Sequence, residues 1–278
     1  MSETVNVSNK SKDKPKKMSF GEHLEYLRKY LFRSIIGILF FAIIAFFFKN
    51  IIFDIIIFGP RNSDFITNRL LCELANNINV NLLCINQNTF NIINIDLAGQ
   101  FKAHILISFI IGLMLGFPYV ISQLWAFVKP ALRTHEIKES QGIVFFVSVL
   151  FTIGVLFGYF IIIPLTINFL SNYSVSSEIT NQISFSSYIS TITTISLSTG
   201  LVFELPVLVY FLSKIGLLTP KTMKKRRKHA IVIAFVLSGI ITPPDIFSQF
   251  LVALPLIGLY ELSIGISRRV EKRRIVIL

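Results

Sequence analysis

The residues of this chain that could do chemistry are few, and most of them are carboxylates. Glu204 stands in the run Phe203-Glu204-Leu205-Pro206, inside a long apolar stretch. A charge at mid-span costs roughly 2.5–3.5 kcal/mol on insertion scales, so an ionisable group there is a functional candidate by default. The structural alternative is a protonated carboxyl, or one bonded to a backbone carbonyl freed by Pro206. Glu261 is a second case, closer to the end of its apolar run, where it either acts or simply reaches the interface and pairs with Arg268 or Arg269. Glu136 and Glu139 lie in a short, otherwise basic connection, where they could meet a basic peptide or be solvated and neutralise Lys138. The block from Thr242 to Gln249 joins two short apolar runs. Pro243 and Pro244 forbid continued helix there, and Asp245 can cap the helix that follows. Cys72 and Cys84 share one loop and could pair or stay free. No C-x-x-C, H-E-x-x-H or Gly-x-Ser-x-Gly pattern occurs, and there are no paired intramembrane aspartates. No metal, cofactor or catalytic residue is therefore expected, and the chain does not read as an enzyme.

The elements that must hold these groups are membrane spans. Of 278 residues 53% are hydrophobic and 15% are charged, against about a quarter charged in soluble domains. The charges fall in blocks between long apolar runs, which is the pattern of a polytopic membrane protein. Six spans are predicted near 30–48, 103–126, 143–165, 189–212, 230–242 and 246–266. Four reach the ~20 residues that cross ~30 Å of hydrocarbon. The fifth is short, and the sixth reads as interrupted by Pro255 and Glu261. Prolines 118, 164, 206, 243 and 255 fall in or beside spans and predict kinked helices.

Orientation follows from the basic residues. Alternate connections and the two ends hold 23 lysines and arginines; the other three loops hold 4, all between Lys49 and Lys102. That split predicts both termini in the cytoplasm and an external first loop over about 49–102. It also accounts for the net charge of +12 without nucleic acid. Residues 1–18 read as a disordered cytoplasmic tail, 19–269 as the membrane domain and 270–278 as a second tail. The first ~30 residues are polar and basic, so no cleavable signal peptide is expected. Phe90 to Ile95 is half apolar and predicts a segment along the outer interface. The external loop is an oxidising place for its two cysteines.

Between Ser19 and Tyr30 the pattern is helical, with Leu24, Leu27 and Leu31 on one face and Glu22, Glu25, Arg28 and Lys29 between them. Ser19 followed by Glu22 reads as a capping box. Other segments in order are Trp125-Ala126-Phe127 with Lys129-Pro130-Ala131-Leu132 and His135-Glu136, then Gly158-Tyr159-Phe160 with Pro164. Phe203-Glu204-Leu205-Pro206, Thr242-Pro243-Pro244-Asp245 with Ser248-Gln249, and Leu259-Tyr260-Glu261 follow. Together with six spans, this series resembles the TatC family of the twin-arginine protein translocase.

The resemblance implies an all-α fold of six helices in a curved, concave wall within the inner membrane. It implies binding of signal peptides that carry two arginines, association with single-span partners of the TatA and TatB type and with further copies of itself, and export of folded proteins on the proton-motive force. The expected signal-peptide site comprises Glu136 and Phe127 with Glu22, Glu25 and Arg28 of the lead-in helix. The family usually has Glu-Leu-Arg where this chain has Tyr26-Leu27-Arg28, so Glu22 or Glu25 takes the missing glutamate's role. Glu204 and Gln249 are the expected intramembrane polar contacts for a partner helix, and Pro243, Pro244 and Asp245 the structural turn. Arginine–carboxylate pairs are bidentate and directional, which suits selection of arginine over lysine. The alternative is a proton-coupled secondary transporter that uses Glu204, although no inverted repeat is evident.

Overall fold

A computed structural model describes residues 20–78, 90–129, 142–176, 178, 181–242 and 246–277. The predicted tail, the Ser19 cap, Glu136, Glu139, Cys84 and the turn of Pro243, Pro244 and Asp245 lie outside the described residues. Long apolar runs become helices because hydrocarbon offers the backbone no other hydrogen-bond partner. The amphipathic lead-in and the first span form one helix, α1 (Phe20–Phe47). After α2 (Ile66–Ile78) the second span is α3 (Gly99–Val128). The third is α4 (Ile143–Phe157), which passes through a π-helical turn at Gly158–Ile162 into α5 (Ile163–Asn172). The fourth is split into α6 (Phe185–Val202) and α7 (Leu205–Lys214). A short α8 (Pro220–Lys225) leads to the fifth, α9 (Arg227–Ile241), and the sixth is α10 (Ile246–Ile277).

Five of these spans are long and apolar enough to cross a membrane. The fifth has 15 residues, about 22 Å at 1.5 Å per residue, and falls short of ~30 Å of hydrocarbon. The sixth differs from expectation. It is neither short nor interrupted, because α10 runs for 32 residues straight through Pro255 and Glu261. Proline removes one backbone donor, and in an apolar medium a full break would leave more groups unsatisfied than the single bond lost. Pro118 is likewise carried inside α3. Where the chain does yield, proline opens the next helix. The π turn precedes Pro164, and the break at Phe203–Glu204 precedes Pro206.

The first two spans pack together, α6 packs on α4 and against α3, and α7 packs on α10, which also carries α9. Close approach depends on small residues. A Cβ on Gly112 would stand 2.6 Å from the backbone nitrogen of Ala42, and one on Gly154 would stand 2.7 Å from the carbonyl oxygen of Thr199. One turn further along, Gly158 faces Thr199 of α6 just as closely, and Gly116 faces Phe41 and Ile38 of α1 at ordinary contact distance. These are the Gly-x-x-x-Gly seams of membrane helices.

The main core lies toward the end opposite the lysine- and arginine-rich connections. Ile162, Ile163, Ile189, Ile192 and Ile195 form its centre, with Ile52, Ile57 and Tyr188 beside them. That end is also pinned by polar contacts. Tyr188 donates to the Ile57 carbonyl (2.8 Å) and Tyr159 to that of Ile56 (2.7 Å). Thr67 donates to the Phe160 carbonyl and Asn68 to that of Asn62. Phe90 to Ile95, expected along the interface, is built into this cap. Ile92 pairs in parallel with Ile183 and Ile93 with Ser184, and Phe90 packs its ring toward Tyr188 beneath the Arg61 guanidinium. The ladder gives those backbone groups hydrogen-bond partners within the protein. Cys72 on α2 is disulfide-bonded, and the chain has one other cysteine. Among the described residues the basic end carries a small cluster of Val209, Met223 and Ile264.

Candidate functional site

The break at Phe203–Glu204 decides the geometry of the basic half. Up to Val202 the fourth span belongs to the layer of the third. After Pro206 it leans on the sixth. Two grooves open on either side of α7 as a result. One, of about 430 Å³, lies between α3, the start of α4 and α7, walled by Phe117, Trp125, Val147 and Phe211. Glu204 lines it, and its two carboxylate oxygens are buried with no hydrogen-bond partner. Of the structural alternatives for this group, a bond to a carbonyl freed by Pro206 is not present. The other groove, of about 610 Å³, lies between α4, α7 and α10 and has Glu261 and Arg269 at its rim.

Glu261 does not pair with Arg268 or Arg269. Its Oε2 accepts from Arg227 Nη2 at 2.6 Å, with both side chains nearly half exposed. Arg227 begins α9, next to α10 in space though 34 positions away, so it reaches Glu261 where the two residues near it in sequence do not. At that exposure the pair contributes about 0–1 kcal/mol. Beside it Tyr260 donates to the Met223 carbonyl (2.9 Å).

Glu25 and Arg28 lie exposed on α1, as does Tyr26. Glu22 is within the same helix. Phe127, at the end of α3, meets Tyr30 edge-to-face at 6.4 Å, which brings the exit of the second span against the lead-in helix. Gln249 donates to the Phe235 carbonyl at 2.9 Å and so ties α10 to α9. One residue earlier, Ser248 accepts from Thr166. Two classes of residue escaped the reading of the sequence. The glycines of the seams were announced by their four-residue spacing. Phe117, Phe211 and Val147, which wall the Glu204 groove, gave no signal, since apolar residues in an apolar span look alike.

The family profile described as Sec-independent protein translocase protein (TatC) matches residues 22–255. The chain belongs to the TatC family. A TatC protein of Blattabacterium is 42% identical over 265 residues, which is 95% of this chain and 100% of that one. The TatC of Campylobacter jejuni is 33% identical over 90% of this chain and 93% of its own length. Among solved structures, a crystal structure of the twin arginine translocase receptor TatC in DDM superposes with a TM-score of 0.70 at 32% identity, over 88% of this chain and 99% of that one. The chain is thus a component of the twin-arginine translocase, a multi-pass membrane protein and not an enzyme. Membership in the TatC family displaces the transporter reading of Glu204.

Proposed function

We propose that the chain is the receptor subunit of the translocase, holding twin-arginine signal peptides at its basic end and gathering single-span TatA- or TatB-type partners in the membrane. The observation that carries the reading is the Tyr30–Phe127 contact, because it joins the lead-in helix to the exit of the second span. Glu22, Glu25 and Arg28 come from the first of these segments and Phe127 and Glu136 from the second. The membrane domain is 19–269, with both tails and the basic connections in the cytoplasm and the inner membrane as its location. Glu204 and Gln249 meet the partner helix, Pro243, Pro244 and Asp245 form the turn between the last two spans, and further copies complete a translocase driven by the proton-motive force.

The orientation is testable by itself. Cysteine labelling from outside should modify a probe at Ser176 and spare one at Lys225; the reverse pattern ends the reading. For the peptide site, a twin-arginine peptide and its twin-lysine version should be compared on wild type, Glu22→Gln, Glu25→Gln and Glu136→Gln. Loss of one partner of a charge pair costs 2–5 kcal/mol or more when buried and less at an open rim. A site open to water is expected to lose roughly 1–2 kcal/mol, about tenfold in affinity, and less at high salt. If all three variants prefer arginine as wild type does, recognition lies elsewhere. If Glu25→Gln alone keeps the preference, Glu22 fills the role vacated at Tyr26.

A further inference from the structure

The larger groove beside α7 is not used by the function above. Its walls are apolar, with Phe146 and Leu262 largely exposed to the membrane at 62% and 65%. A Cβ on Gly265, which also lines it, would meet nothing within 4 Å, so a larger side chain there has open space to enter. At the basic end the rim changes character. Arg227 already neutralises Glu261, while Arg269 is exposed and has no acidic partner among the described residues. The uncompensated charge at the mouth is therefore positive.

We infer that this groove is a binding site for an anionic phospholipid, with an acyl chain between α4, α7 and α10 and the headgroup phosphate on Arg269. The charge at the mouth and the apolar walls together choose this occupant. A narrow, flexible tail fills such a space along its length. A cation at the depth of the headgroups, above an apolar slot, matches a molecule whose charge sits at one end of its chains. One arginine beside an anionic headgroup changes affinity roughly fivefold.

The test uses the full chain, purified in mild detergent with mixed phosphatidylglycerol and phosphatidylcholine and examined by native mass spectrometry for retained lipid. Wild type is expected to retain phosphatidylglycerol roughly fivefold over phosphatidylcholine. Arg269→Gln should bring that preference close to one while retaining similar total lipid. Gly265→Leu should lower retention of both lipids, because it fills the slot. Gly258→Leu, whose new side chain also enters open space but outside the groove, should behave as wild type. Equal retention of both lipids by wild type, or an unchanged preference in Arg269→Gln, overturns the proposal. So does crosslinking of a protein segment to Leu262→Cys that Gly265→Leu abolishes while lipid retention stays at the wild-type level. None of these readouts depends on binding of a signal peptide.

Discussion

Gly112→Val is expected to destabilise the protein by about 3 kcal/mol, the upper part of the usual range for an overpacked interior. The reason is the identity of what stands opposite. The nearest atoms to a new Cβ are the backbone nitrogen and Cα of Ala42, at 2.6 and 2.7 Å. A flexible side chain could turn aside, but a helix backbone moves only with its whole span. Valine therefore has to push α1 away from α3, and the contacts along that seam loosen with it. Heating the purified protein in detergent and measuring the fraction that stays monodisperse gives the comparison. Gly258→Val is the control, since a Cβ there meets nothing within 4 Å. A Gly112→Val protein as heat-resistant as that control would mean that the first two spans do not depend on this contact.

Glu204→Ala should separate stability from activity. Both carboxylate oxygens are buried without a partner, a condition that costs ~1–3 kcal/mol for a polar group. Removing the group therefore leaves the folded protein as stable as before or more so. Export of a folded, cofactor-bearing reporter is expected to fall at least tenfold, because the variant lacks the polar group proposed to meet a partner helix in the Glu204 groove. A cysteine at Leu208, exposed and lining the same groove, should crosslink to the single-span partner in wild type and lose that product in Glu204→Ala. Normal export by the variant removes the role proposed for this residue. A marked loss of heat resistance would show that the carboxyl is a structural element. Opposite movement of the two readouts is what a strained functional group produces.

The spans were legible because hydrocarbon imposes a length and an apolar composition that few other contexts require. A kink at Pro206, which the structure shows as a full break, was legible for a similarly local reason, since proline opens a helix far more readily than it continues one. Pro255 shows the limit of that rule: the helix around it persists because its other hydrogen bonds have no alternative in lipid. What depended on distant partners was not readable. Arg227 finds Glu261 across two helices, and Ile92 finds Ile183 across two spans. Phe127 and Glu204 were both marked by the sequence, yet the ring of Tyr30 against one and the walls around the other follow only from the packing of α3 with α1 and from the way α7 faces α3 and α4.

The parallel pairing of Ile92 with Ile183 also fixes an order of construction. α1 and α3 can close on Gly112 as soon as the first hairpin has been threaded. The cap that holds Phe90, Arg61 and Tyr188 cannot close then, because its second strand is made only after α5 has crossed back. A chain halted during synthesis at that point would own a finished hinge pair and an unfinished seal. Its Ile92 backbone would still be asking for a strand, and the arrival of α6 is what ends that request.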